Sequence, residues 1–142
     1  MINVKWPMTK DNWQIAKNKL DMGMKLSEVK AILKAKIATG GDKIDMVLNA
    51  GAGSDLMSDL LRGSKEGVLV LSGLNNIQVI RTAVIAGVSA LVLVRGKEPD
   101  EEMKAQAEEH GLPVLTTPFT MFTACGRLFK AGLRGVDPKK TS

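Results

Sequence analysis

His110 and Cys125 are the single histidine and single cysteine of this 142-residue chain. They are the first residues to test for chemistry. His110 precedes Gly111 where a predicted helix ends, a place where the helix dipole favours an imidazole and glycine supplies the left-handed stop. Cys125 falls on the apolar stripe of the last predicted helix, the setting of a small core residue. The two lie on different elements, and no spacing joins them into a nucleophile–base pair. The carboxylates form no better set. Asp100, Glu101 and Glu102 are a first-turn cluster, and Asp42, Asp45, Asp55 and Asp59 fall in turns or on a helix face. Leu71-Ser72-Gly73 and Val94-Arg95-Gly96 carry no acid at a strand end, against a receiver-type phosphoacceptor. No GxxxxGK[ST], HExxH or CxxC motif occurs. The residues therefore predict no catalytic set, no metal site and no cofactor.

What remains is loop chemistry. Four segments are expected to share the carboxyl edge of a parallel sheet, where ligands of such sheets bind. They are Gly51-Ala52-Gly53-Ser54-Asp55, Ser72-Gly73-Leu74-Asn75-Asn76, Arg95-Gly96-Lys97 and Thr116-Thr117-Pro118. Backbone N–H groups, small hydroxyls, two amides and two cations make the inventory of an anion or nucleotide-phosphate pocket. The candidate ligand-binding residues are Gly51, Gly53, Ser54, Asp55, Ser72, Asn75, Asn76, Arg95, Thr116 and Thr117. Ordinary turn chemistry accounts for the same residue types. An enzyme acting on a phosphorylated small molecule, built from Ser54, Asp55, Arg95 and Thr117, is a further alternative.

The elements that must position these loops are organised around residues 67–96. Val68–Leu71 and Ala90–Val94 are continuous apolar runs, as strands buried on both faces are. The helix predicted between them over Asn75–Ala86, stopped by Gly87, makes a right-handed crossover unit. The fold class expected is α/β, a three-layer α/β/α sandwich with a mostly parallel, Rossmann-like sheet. Ser27 is read as the cap of a short helix, Lys36–Ala38 as a brief strand and Ile44–Leu48 as the next strand. A glycine loop follows over Ala50–Gly53. Ser54 or Asp55 then caps a helix carrying Leu56, Met57, Leu60 and Leu61. Later come a helix after Pro99 with Met103 and Ala107 inward, a strand over Pro113–Leu115, and a last helix begun by Thr117 or Thr120. Its apolar stripe is Met121, Phe122, Cys125, Leu128 and Phe129. The Asn75–Ala86 helix is apolar over about half its circumference, wider than the ~100° needed to cover a sheet. Either a neighbouring helix or a second copy covers the excess; Ile77, Val79, Ile80 and Val84 are the candidate dimer interface.

The bulk numbers agree with one domain. A net charge of +5 divides unevenly: residues 1–43 hold nine Lys against four acids, residues 44–126 six bases against ten acids, and residues 127–142 five bases against one acid. The body is acidic and the basicity sits at the ends. With no Tyr and three Phe, stacking platforms are scarce, and no nucleic-acid partner is expected. No apolar run approaches the ~20 residues of a membrane span, the N-terminus lacks a signal-peptide core, and the expected location is cytoplasmic. Residues 1–23 read as an N-terminal helical extension, with Thr9 as cap and Trp13, Ala16 and Leu20 at helical spacing. The domain follows over 24–132, and 133–142 is read as a flexible basic tail.

From Met24 onward the order of segments resembles the DRTGG-domain family. The pieces that carry the likeness are MKLSEVKAIL with its Gly40-Gly41 turn, GSDLMSDLL, the run from Gly67 to Pro118, and FTMFTACGRL. Most telling are Pro99-Asp100-Glu101-Glu102 and the later His110-Gly111-Leu112-Pro113-Val114-Leu115-Thr116-Thr117-Pro118. Similar domains form the N-terminal part of HPr kinase/phosphorylase and lie between CBS domains in regulatory pyrophosphatases. The resemblance implies a small, often dimeric α/β sandwich acting as a regulatory or ligand-sensing module, with no kinase chemistry to carry over. A protein partner that binds it as an adaptor is the alternative. The chain departs from the family where an acid and an arginine commonly follow the central strand, here Gly73-Leu74-Asn75. It departs again where a Thr-Gly-Gly-like turn follows the next strand, here Val94-Arg95-Gly96.

Overall fold

Val68, Leu69, Val70, Leu71 and Ser72 alternate between two hydrophobic layers, and that alternation builds the molecule. In the computed structural model, which describes residues 23–62 and 66–136, these five form strand β5 (Val68–Ser72), buried along its whole length. Leu69 and Leu71 face one core, Val68 and Val70 the other. Strand β6 (Ala90–Leu93) repeats the pattern, with Ala90 and Val92 on the first side and Leu91 and Leu93 on the second. A strand with two apolar faces needs helices over both, which is why the run is continuous and not alternating.

The main sheet has five strands. In spatial order they are β2 (Lys36–Thr39), β7 (Val114–Thr116), β6, β5 and β4 (Ala50–Gly53). The last four are mutually parallel, and β2 closes one edge antiparallel to β7. A separate antiparallel pair joins β1 (Met24–Lys25) to β3 (Val47–Leu48). One face is covered by α1 (Leu26–Ile32) and α5 (Met121–Lys130), which share the core of Leu69, Leu71, Val92 and Leu115. The other is covered by α2 (Met57–Leu60), α3 (Ile77–Ala86) and α4 (Glu101–Glu109), around Val70, Leu91, Leu93 and Val114. This is the three-layer α/β/α sandwich with a mostly parallel sheet.

The helix boundaries follow local capping. Asn76 Oδ1 accepts from Val79 N–H at 3.2 Å and Gly87 ends α3 at φ +75°. Asp100 Oδ1 accepts from Met103 N–H at 2.8 Å, with Met103 and Ala107 fully buried. Thr120, not Thr117, caps α5 by accepting from Thr123 N–H. Ser27 lies inside the first turn of α1, whose cap is Lys25; the Lys25 N–H donates to Glu28 Oε1. Neither Ser54 nor Asp55 caps α2: Leu56 holds that position.

Other expectations are corrected. Ala50–Gly53 is not a loop but the edge strand β4, and only Val47–Leu48 of the expected 44–48 strand is extended. The reason is tertiary. A Cβ at Gly51 would stand 2.9 Å from Leu133 Cδ2, and one at Gly53 would stand 3.0 Å from Met121 Sδ. The glycines are there to let α5 and the segment after it lie close to the strand. Part of the apolar width of α3 is taken up inside the subunit, because Val79, Ile80 and Ala83 are fully buried in the second core. Val79 and Ile80 are therefore not available to a second copy; Ile77 and Val84 are half-buried, and Ile85 is exposed. On α5, Phe122 and Phe129 point outward, while Ala124 and Leu128 are the buried pair. Leu133 is buried, Gly51 N–H donates to the Arg134 carbonyl at 2.8 Å and Gly51 pairs with Gly135, so packed contacts extend past residue 132. The helix read over residues 9–20, the rest of the N-terminal extension before Gly23, and residues 137–142 lie outside the described residues.

Gly40 and Gly87 offer a paired test. Both hold φ near +75°, but a Cβ at Gly40 would meet Pro113 Cα at 2.6 Å, whereas nothing lies within 4 Å of one at Gly87. Gly87→Ala is expected to cost about 1–2 kcal/mol, the left-handed penalty alone. Gly40→Ala adds a backbone collision and should cost clearly more, about 3 kcal/mol or above. Urea unfolding of the two variants reads the difference; equal costs would refute the packing role of Gly40.

Candidate functional site

The loops that follow β4, β5 and β6 meet at Gly73. Asp55, just past β4, turns its carboxylate across to β5: Oδ1 accepts from Ser72 Oγ at 3.1 Å and from Gly73 N–H at 2.6 Å. Ser72 is fully buried, and its Oγ also accepts from Leu74 N–H at 3.2 Å. From the other side comes Arg95, exposed, in the left-handed region at φ +61°. The first side-chain atom of any larger residue at 73 would sit 3.3 Å from Asp55 Oδ2 and 3.4 Å from Arg95 Nη2. Gly73 thus holds open the space between an acid and a guanidinium delivered by two other strands.

Beside Gly73, Asn75 is exposed and Asn76 is the exposed N-cap of the ten-residue α3. The positive end of that helix faces the same rim. Asp55, Ser72, Asn75, Asn76 and Arg95 therefore share one end of the sheet. Ser54 is adjacent, but its hydroxyl is engaged locally: it accepts from Leu56 N–H at 3.0 Å and lies 3.3 Å from Asp59 Oδ2.

The remaining candidates do not join them. Gly51 and Gly53 lie within β4 and serve packing. Thr117 is buried and donates its hydroxyl to the Leu33 carbonyl at 2.6 Å, tying the end of β7 to the end of α1. Thr116 is buried in β7. The expected supply of free backbone N–H groups is also reduced. Ser54 N–H donates to Leu71, Arg95 N–H to Phe119, Gly96 N–H to Thr117 and Thr117 N–H to Leu93. The residue that sequence reasoning passed over is Gly73 itself, named within a turn and given no role. Its only signal was a glycine directly after a buried strand.

His110 is exposed at the end of α4, with Nδ1 3.0 Å from the Gln106 carbonyl oxygen. Cys125 sits half-buried beside Met121 Sδ, and burial pushes its thiol above the usual range. Among the described residues no group of three or more His, Cys, Asp or Glu side chains forms a metal-holding cluster, and no helix is long and apolar enough to cross a membrane.

Comparison with known proteins gives a family and a similar fold. The DRTGG domain family matches residues 28–131. Among solved structures, the chain is similar to the CBS and DRTGG domains of the regulatory region of Clostridium perfringens pyrophosphatase, determined in complex with its activator diadenosine tetraphosphate. The TM-score is 0.64 at 18% identity, over 83% of this chain and 51% of that one. The chain thus spans about half the length of that structure, and the likeness is one of fold. No curated protein matches.

Two outcomes follow. Ser72→Ala deletes a donor to Asp55 and an acceptor for Leu74 in a fully buried position, and should lower stability by about 1–3 kcal/mol; a neutral result in chemical denaturation would remove the tether. At pH 7–8 Cys125 should react with iodoacetamide several-fold more slowly than a free thiol, because more of it stays protonated and access is restricted. The rate should still be climbing at pH 9, as a raised pKa requires, and a plateau below pH 8 would contradict the burial.

Proposed function

Because the chain belongs to the DRTGG domain family, we propose that it is a non-enzymatic, regulatory, ligand-sensing module that takes a small anionic metabolite or nucleotide at the rim around Gly73. The observation that carries this reading is the tethered Asp55 carboxylate and the Arg95 guanidinium on either side of a residue without a side chain. A guanidinium presents paired donors that suit a phosphate, and the first turn of α3 adds its positive end. Asp55 Oδ1 already has two donors, which leaves Oδ2 as an acceptor for a ligand hydroxyl such as that of ribose. The pyrophosphatase regulatory region, which holds CBS as well as DRTGG domains, was solved with a dinucleotide activator. That makes a nucleotide the first ligand class to try.

An enzyme assembled from Ser54, Asp55, Arg95 and Thr117 is less well supported, since the Thr117 hydroxyl is turned inward to Leu33. The proposal includes a homodimer and a cytoplasmic location. Self-association through α3 would rest on the exposed Ile85 with Ile77 and Val84 beside it.

The test is an amide-resolved NMR titration with ATP, diadenosine tetraphosphate and inorganic phosphate. Shifts should concentrate at Gly73, Asn75, Asn76 and Gly96. Arg95→Ala should weaken the nucleotide at least tenfold, the equivalent of about 1.4 kcal/mol and within the range of one charge-assisted hydrogen bond. Millimolar nucleotide that leaves those four amides unmoved would overturn the reading.

A further inference from the structure

Helix α5 buries Ala124 and Leu128 and leaves its opposite side bare. Phe122 is 89% exposed and Phe129 58% exposed. They stand seven residues apart, two helical turns or about 10.5 Å. Between them lies Gly126, where a Cβ would meet nothing within 4 Å. Next to this ridge is an open apolar pocket of about 150 Å³, lined by Cys125, Leu128 and Phe129 together with Gly51, Gly53 and Leu133. Two aromatic knobs, a glycine gap and a pocket of that size fit apolar side chains repeating at helical spacing.

The segment that carries this face holds charge of one sign. No acidic residue occurs between Glu109 and Asp137. Lys130 lies on the exposed side of α5, and the Arg134 guanidinium stands 4.1 Å from the Phe129 ring centroid while donating to the Phe129 carbonyl. Neither cation is in a salt bridge among the described residues. Arg127, on the far flank, is held by the Ile32 carbonyl and the Phe119 ring. Asp55, beyond the end of β4, turns its carboxylate toward Ser72 and Gly73. A second copy of α5 would bring like charges together, because this helix carries bases and no acid. An acidic segment would complement them.

We propose that the Phe122–Gly126–Phe129 face of α5, with the adjoining pocket, is a docking site for an acidic amphipathic helix of a partner protein. Its apolar residues at i, i+3/i+4 and i+7 pack across Gly126 and into the pocket, as helices do in apolar grooves. Its carboxylates face Lys130 and Arg134. This surface does not depend on the Gly73 rim, so either stands if the other falls.

The probe is a fluorescently labelled peptide of three Leu-Glu-Glu-Leu-Leu-Glu-Ala repeats, measured by anisotropy against the full chain, beside the same peptide with Lys for every Glu. The acidic peptide should bind at least tenfold more tightly, with amide shifts at Cys125, Gly126 and Phe129. Lys130→Glu, on an exposed position, should reduce or reverse that preference. Phe122→Ala and the pocket-filling Cys125→Phe should each weaken binding at least fivefold. No preference for the acidic peptide overturns the proposal. So does tighter binding of an oligouridylate or of phosphatidylglycerol vesicles at the same amides, or a concentration-dependent dimer abolished by Phe122→Ala.

Discussion

Two-sided burial of β5 and β6 is the constraint from which the rest follows. Every residue of both strands is buried, and water is excluded from both of their faces. Each fully covered Leu or Val is worth about 1.5–3 kcal/mol relative to exposure. Two layers of helix are therefore obligatory. Crossover connections of one hand then set β4, β5, β6 and β7 parallel, so that the loops after their carboxyl ends fall on one edge. The Gly73 rim is a consequence of that alignment. An acid, a hydroxyl and a guanidinium from the ends of three strands can converge only because those neighbouring strands end together.

Glycine does two kinds of work in this fold. At Gly40 and Gly87 it supplies a left-handed backbone. At Gly51, Gly53 and Gly73 it supplies room. The first two of these let α5 and the segment around Leu133 approach β4, and the third leaves a gap between Asp55 and Arg95. The β4 strand, Ala-Gly-Ala-Gly, has poor intrinsic strand preference. It is extended because β5 pairs along one edge and Arg134 takes the Gly51 N–H on the other. The same closeness shapes the pocket beside Phe129. Rim and pocket are thus built by different glycines of one edge strand and its neighbour.

Several elements could be read from the chain directly. The continuous apolar runs at 68–71 and 90–94, the helix between them with its Gly87 stop, and Met103 with Ala107 on the inner face of α4 all rest on local pattern. Each was legible because the signal and the structure it dictates lie within a few residues. Asp55, Ser72, Asn75, Asn76 and Arg95 could be placed at the strand ends for the same reason. The errors share an opposite cause. Ser54 and Asp55 look like caps, Thr117 looks like a rim hydroxyl, and Phe122 and Phe129 look like core. Ser54 is held locally by Leu56 and Asp59, but elsewhere a partner far along the chain decides: Ser72 and Gly73 claim Asp55, Leu33 claims Thr117, and the sheet has room only for Ala124 and Leu128.

By itself the amino-acid sequence determined the α/β class, the central crossover, the direction of the parallel strands and the family likeness, because periodicity and capping act over one or two turns of chain. Tertiary structure alone decided that a glycine-rich stretch would be an edge strand and that Val79, Ile80 and Ala83 of α3 would be buried inside the subunit. It also decided that Gly73 would lie between a carboxylate and a guanidinium. Those outcomes depend on which atoms occupy the space beside each residue, and that is set by the packing of elements distant in sequence.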